Sequence, residues 1–391
     1  MSSTPAGSRP KYRWTILAAG VVGQAAASAI GLGLPAIAPA IRHGYGLTLT
    51  QVGVVLAALN FGLIVTLVPW GIVADRIGER AVLATGLTGC AVAIAVAGRT
   101  SSFAGLVAAL SVAGALAGGT QSASGRAVMS WFGPEERGLA LGIRQTAVPL
   151  GGAIAAGALP ALTHISLRSA FYGLAGGCIA AAVVGATLLR TEPSEDLGEV
   201  SRPLRDRRIW LLCLGSTFYV LTQISLLAFL VLFLHDDRGL STASAAAVLA
   251  ALQITGGIAR IVAGRLSDRM RARVVPLRRI ALLLALSLAT ATALVHASLW
   301  LLLPSLVVAG TFALSWNGLS FTAAAETAGR RRSGAAIGLQ QTFLAAGSIV
   351  APIAFAAVVH AFSWRVAFGA AAASPLAGYV LLSPLAEGKR S

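Results

Sequence analysis

Three of the 30 basic residues in this 391-residue chain, Arg126, Arg144 and Arg260, interrupt long apolar runs, in "SASGRAVMSW", "GIRQTAVPLGG" and "GGIARIVAG". A guanidinium among aliphatic side chains needs partners, because taking an ion out of water is costly unless it is paired or hydrogen-bonded. The chemistry this offers is anion recognition, since the planar fork of five N–H donors matches a carboxylate bidentately. The fourteen Asp and Glu residues lie elsewhere, all in loops or at the ends of apolar runs. Neutral hydrogen-bonding side chains do enter the runs: Gln24, Asn60, Gln121, Gln145, Tyr219, Gln223, Gln253, Trp316, Asn317, Gln340 and Gln341. Two uses are open to them, holding a polar guest or bridging neighbouring segments. Arg144 and Arg260 carry the same ambiguity, between gripping an anionic guest and reaching back to the interface with their long side chains. Tyr219 and Trp316, with aliphatic surroundings, suit a guest with a small hydrophobic body.

Other chemistries find no support. The five histidines are scattered at the outer ends of runs, and no G-x-S-x-G element with partners occurs, so neither a metal centre nor a nucleophilic enzyme is expected. Cys90, Cys178 and Cys213 each sit in an apolar run as small buried hydrophobes, without a redox role. No cofactor is implied.

With 56% hydrophobic residues, 11% charged residues and mean hydropathy +0.80, the chain cannot cover a soluble globule of its size. The net charge of +16 does not point to nucleic acid, because the arginines alternate with apolar runs instead of forming a basic face. At about 20 apolar residues per helical crossing, twelve spans are expected, at 14–40, 52–74, 81–98, 103–130, 138–162, 169–190, 209–234, 242–263, 277–296, 298–325, 334–360 and 364–385. The runs are continuous and not alternating, which excludes a barrel. Pro35, Pro69, Pro149 and Pro352 within them are tolerable where neighbouring helices satisfy the freed backbone. The polar N-terminus lacks a short apolar stretch with a small-residue cleavage site, so the first run reads as a retained span.

Placing the N-terminus in the cytoplasm puts 22 Lys and Arg on that side and five (Arg42, Arg99, Arg168, Arg238, Arg365) on the other. By the positive-inside bias both termini are cytoplasmic, in the cell's inner membrane. The expected organisation is a tail at 1–13, a bundle at 14–190, a cytoplasmic linker at 191–208, a bundle at 209–385 and a tail at 386–391.

The bundles repeat one another. "GIVADRIGER" from Gly71 matches "GRLSDRMRAR" from Gly264 at a displacement of 193, and "GLALGIRQT" from Gly138 matches "GAAIGLQQT" from Gly334 at 196. Gln121 and Asn317 correspond at the second displacement. Twelve spans, a charged central loop and Gly71-Ile-Val-Ala-Asp75-Arg76-Ile-Gly78-Glu-Arg80 together resemble the major facilitator superfamily, whose loop reads G-x-x-x-D-R-x-G-R-[RK]. Two departures stand out. Glu79 replaces a basic residue, which weakens the loop's cation cluster, and Met270-Arg271 replaces the x-Gly pair in the second copy, which loosens its turn.

The resemblance implies an all-α membrane fold of twelve helices in two pseudo-symmetric six-helix halves, moving a small solute by alternating access. In that setting Asp75 can face the positive N-terminus of the span that begins near Gly334. Arg76, Arg80 and Arg126, with Gly71 and Gly78, then form an inner gate that Gly264, Asp268 and Arg269 repeat. A plain anchoring loop is the alternative. The resemblance also places an arginine like Arg260 against a substrate carboxylate. The expected cargo is a small organic anion bound by Arg144, Arg260, Gln24, Gln121, Gln145, Tyr219, Gln223, Trp316, Asn317 and Gln341. The working unit is a monomer among lipids, with proton coupling carried on the substrate or anion exchange both open. Proton-coupled drug efflux is the alternative. Against it, no span holds an acid, and Val148-Pro149-Leu150-Gly151-Gly152 only partly resembles the antiporter element G-P-x-x-G-G.

Overall fold

The computed structural model describes residues 9–190 and 205–385. Most of the expected N-terminal tail and central linker, and all of the C-terminal tail, lie outside these. Among the described residues every regular element is helical. Eleven helices are long and apolar enough to cross a membrane: α1 Lys11–Tyr45, α2 Gln51–Ile77, α3 Glu79–Ala97, α4 Phe103–Trp131, α5 Arg137–Ile165, α6 Leu167–Leu188, α7 Arg207–Asp237, α8 Ser244–Met270, α9 Val274–Ala293, α10 Leu299–Ala328 and α11 Ser333–Ala361. The twelfth, α12 Trp364–Leu381, has 18 residues. Each expected span coincides with one helix. The largest difference in length is α1, which continues to Tyr45 with Arg42 and His43 in its last turn, where positive charge suits the carbonyl end of a helix.

Several short loops end in helix caps. Thr48, Ser102, Ser166, Ser241 and Ser363 precede α2, α4, α6, α8 and α12, and each hydroxyl accepts the backbone N–H three residues on. At Thr48 the bond is reciprocal, with Gln51 Oε1 accepting the Thr48 N–H at 2.9 Å.

Several helices are broken within the span. In α1, Leu34–Ile37 tightens to a 3-10 turn containing Pro35. In α4 the break is at Gly118, in α5 at Thr146 and in α10 at Trp316. Pro149 has no N–H for the Gln145 carbonyl, which accounts for the α5 break. At α10 the break precedes Asn317 and Gly318, both weak helix formers. The breaks in α4, α5 and α10 lie within three residues of Gln121, Arg144 and Asn317, so the polar side chains cluster where the backbone is irregular.

The chain divides into two compact units, which are not the two sequence halves. Unit one gathers Met1–Gly133, Arg144–Pro203 and Ala328–Thr342; unit two gathers Pro134–Ile143, Leu204–Thr327 and Phe343–Ser391. Thus the first residues of α11 belong with α1–α4, and the first residues of α5 belong with α7–α10. Within unit one, α2 lies against α4 and α3 against α6 around an aliphatic core that includes Ile16, Leu83, Leu110 and Phe171. Within unit two, α8 lies against α10, and α7 and α9 against α12. One end of this unit carries an aromatic cluster of Phe229, Phe233, Phe355, Trp364 and Phe368. The three cysteines are buried and free, and all five histidines are exposed.

Candidate functional site: two capped carboxylates and a caged arginine

The residues that bind the exchanged segments are the two signature aspartates. In unit one, Asp75 accepts the backbone N–H of Gly334 and of Ala335, one per carboxylate oxygen, both at 2.9 Å. In unit two, Asp268 accepts the N–H of Gly138 at 2.9 Å and of Leu139 at 2.8 Å. Each carboxylate sits on the first turn of a helix, where orphan N–H groups and the helix dipole both favour negative charge. The signature glycines permit this approach: a Cβ on Gly71 would lie 2.5 Å from the Gly334 oxygen, and one on Gly264 would lie 2.2 Å from the Gly138 oxygen.

The cations around the two aspartates differ. In unit one Arg126, from α4, places Nε 3.4 Å from Asp75 and Nη1 against Glu79, which is fully buried. Glu79 therefore supplies a second anion to Arg126, and the expected weakening of the cluster is replaced by a three-member ion network. In unit two Arg273 donates to Asp268 at 2.6 Å and grips Glu326 of α10 with Nε and Nη2 at 3.0 and 3.1 Å. Arg137 adds a longer contact to Glu326 at 3.7 Å. Burial pushes the Arg273 guanidinium down, but Glu326 and Asp268 outweigh it and hold the group above its ordinary range. Arg76, Arg80 and Arg269 are exposed and enter no ion pair among the described residues, so of the cluster expected from Arg76, Arg80 and Arg126 it is Arg126 that pairs with the aspartate, and in unit two Arg273 takes that part.

The second loop keeps its tight turn despite lacking glycine. Gly78 adopts φ 87°, and Arg271, its counterpart at displacement 193, adopts φ 49°. Among the described residues Arg271 is the one non-glycine with positive φ. Its N–H caps α8 by donating to Asp268 O and Ser267 O. A left-handed L-residue costs roughly 1–2 kcal/mol, so the missing glycine is absorbed as strain and not as a looser turn.

Deeper in unit one, Arg144 is completely buried. Its Nε donates to Ser124 Oγ at 2.8 Å and its Nη1 to Gln145 Oε1 at 2.9 Å. Nη2 faces Gln121 O at 2.8 Å, Gln121 Oε1, and Gln24 Oε1 at 3.3 Å. Ser124 turns its own proton to Thr120 O, and Gln24 Nε2 donates to Ser28 Oγ at 3.3 Å, so both aim an oxygen at the guanidinium. Helices α1, α4 and α5 thus hold Arg144 within one set of neutral oxygens. Gln24, Gln121 and Gln145 come together there. Ser124 was not singled out in the sequence, although it lies three residues from Gln121 on the same helical face.

In unit two Arg260 is buried at 5% exposure and donates from Nε to Leu314 O at 2.6 Å, beside the α10 break. It points into protein and not to the interface. Tyr219 and Trp316 are fully buried and meet edge to face, centroids 5.6 Å apart. Gln223 and Asn317 are also buried. Gln253 and Gln341 are half-buried and Asn60 is exposed. No group of three His, Cys, Asp or Glu among the described residues is placed to hold a metal ion.

A twelve-helix chain whose halves repeat, with a carboxylate-capped loop in each, defines a membrane carrier. The family profile described as Major Facilitator Superfamily matches residues 17–352. An MFS-type transporter of Mycobacterium tuberculosis is 31% identical over 391 residues, covering 98% of this chain and 87% of the relative. A probable sulfoacetate transporter of Cupriavidus necator is 28% identical over 268 residues, 62% of this chain and 61% of the relative. Among solved structures, the Escherichia coli fucose:proton symporter matches with TM-score 0.76 and 16% identity over 97% of this chain and 100% of that one. A human organic anion transporter matches with TM-score 0.76 and 17% identity at the same coverage. This chain belongs to the Major Facilitator Superfamily, and it is a multi-pass secondary transporter working by alternating access, not an enzyme.

Two predictions follow from the loop geometry. Arg271→Gly relieves the left-handed strain and raises thermal stability by about 1 kcal/mol, read as a higher melting temperature in detergent. Arg126→Ala leaves Glu79 buried without this cation and destabilises by about 3–5 kcal/mol, whereas adding Glu79→Gln to it restores part of the loss. Additive effects of the two substitutions in a double-mutant cycle would contradict the network.

Proposed function

We propose that the cargo is a small organic anion of carboxylate-like chemistry, carried across the inner membrane of the cell by a monomer with both termini cytoplasmic. The observation that carries this reading is the complete burial of Arg144 among oxygens of Gln24, Gln121, Ser124 and Gln145. A hydrogen bond from a guanidinium to an anion is roughly twice as strong as one to a neutral acceptor. An incoming carboxylate therefore displaces flexible glutamine oxygens favourably, and the released amides bond the anion's remaining edge. The resemblance to a probable sulfoacetate transporter supports an anionic cargo. Arg260 serves as a second cationic contact.

In the same reading the aspartate caps are the gate. Asp75 on Gly334 and Ala335, and Asp268 on Gly138 and Leu139, hold α11 and α5 to the neighbouring loops in one state and release them in the other. Gly71, Gly78, Arg126, Gly264 and Asp268's partner Arg273 shape these contacts. Arg76, Arg80 and Arg269, exposed as they are, set topology. The proton, if one moves, travels on the substrate or is replaced by counter-exchange of a second anion.

Uptake into right-side-out and inverted vesicles tests the proposal across acetate, lactate, sulfoacetate and lipophilic cations. Arg144→Ala is expected to lower anion flux by about 10- to 100-fold, the worth of a hydrogen bond to a charged group, with Arg144→Lys retaining part of it. Movement of the lipophilic cations with every anion inert would instead support drug efflux.

A further inference from the structure

We infer that Cys90 and Cys178 form a redox-active dithiol in unit one, which an uncharged, lipid-soluble hydroperoxide closes to a disulfide between α3 and α6. The inference is independent of the cargo. The sequence reads each cysteine as a small hydrophobe, but the packing gives two of the three a partner: Cys90 and Cys178 lie fully buried in one core, and the Cys90 thiol interacts directly with that of Cys178. The Cys178 Sγ also donates towards the Ala26 carbonyl oxygen of α1, at 3.9 Å, as a weak S–H donor can.

The register of the two helices accounts for the meeting. They run antiparallel. Leu83, near the start of α3, packs on Gly185, near the end of α6, where a Cβ would lie 2.2 Å from Leu83 Cδ2. Gly98, just after α3, packs on Phe171, near the start of α6, where a Cβ would lie 2.9 Å from that of Phe171. Cys90 stands seven residues after Leu83 and eight before Gly98, and Cys178 stands seven before Gly185 and seven after Phe171. Seven residues are close to two turns at 3.6 residues per turn. Both cysteines therefore continue the facing sides of the two helices, midway between two contacts where glycine lets the backbones approach.

Their place within the membrane spans decides which oxidant can act. Ions are excluded from hydrocarbon, whereas a hydroperoxide ROOH is uncharged and dissolves in it. In the first step the sulfur of either cysteine attacks the terminal peroxide oxygen. The O–O bond breaks, a sulfenic acid forms, and the thiol's hydrogen leaves on the alcohol ROH. In the second step the neighbouring sulfur attacks the sulfenic sulfur, the S–O bond breaks, and the hydroxyl leaves with the second thiol's hydrogen as water. Each sulfur gives up one electron, the peroxide bond takes both, and no charge stays in the core. Whichever thiol reacts first, the other already stands against it.

The test uses purified full-length protein in phospholipid nanodiscs, treated with cumene hydroperoxide and mapped by mass spectrometry without reduction. A bridged Cys90–Cys178 peptide pair, lighter by two hydrogens and reversed by dithiothreitol, is expected, while tetrathionate, an anionic oxidant, leaves both thiols free. The bridge closes a long loop inside one compact unit, so the oxidised protein is expected to melt about 5–10 °C above the reduced protein. Cys90→Ala and Cys178→Ala each abolish that rise, and Cys213→Ala, which removes an equally buried thiol of unit two, retains it. The peptide map of the unsubstituted protein gives the answer if a variant fails to fold. Recovery of both cysteines as thiols, under conditions that convert dodecanethiol in the same bilayer to its disulfide, overturns the inference. Oxidation of either cysteine to a sulfinic acid, a bridge to Cys213, or equal bridging by tetrathionate also overturns it.

Discussion

In hydrocarbon a charge must find its complement inside the protein, and this fold meets that constraint with helix ends. Asp75 and Asp268 each bind the two leading N–H groups of a helix that belongs, in sequence, to the opposite half. This arrangement satisfies a carboxylate and two of the orphan donors that every helix N-terminus carries. It also explains why the compact units exchange segments: the start of α11 is bound to the last turn of α2 and the start of α5 to the last turn of α8. Such bonds are directional and few, so each can be made or lost as a unit, which suits a protein that alternates between states.

Around this common device the two halves have diverged in where they keep their charges. Unit one takes its cation from α4 and its extra anion from the first residue of α3, as Arg126 with Glu79; unit two takes the cation from the loop before α9 and the extra anion from α10, as Arg273 with Glu326. The reversal conserves a carboxylate–guanidinium–carboxylate chain without conserving any flanking residue. The same freedom applies to the turn, where Arg271 occupies the left-handed position that Gly78 fills in the first copy. A loop signature of this kind constrains the network's connectivity more tightly than the identity of its members.

Much of this could be read before any coordinates. The twelve spans were legible because bilayer thickness sets helix length locally, and charge cannot be placed within a run at random. The duplicated loops were legible because a fixed displacement needs no knowledge of packing. Ion partners were not. Glu79 reads as a departure from a basic position, Arg273 as one more topogenic arginine, and Glu326 as a helix-end acid, since nothing in their local sequence names a residue 47 or 53 positions away. Ser124 was hidden for a related reason: a serine in a helix usually bonds its own backbone, and only the approach of Arg144 turns its lone pair outward.

By itself the chain's sequence determined a bilayer-spanning bundle built twice over, with positive charge inside the spans and acids confined to their ends, because hydropathy and charge act over a single helix turn or span. Tertiary structure alone decided that Arg144 lies in a cage of neutral oxygens drawn from three helices, while Tyr219, Gln223, Trp316 and Asn317 lie buried with hydrogen-bonding atoms unmatched among the described residues. Whether a polar side chain is satisfied depends on what distant segments bring within about 3 Å of it, and that distance is a property of the packed fold.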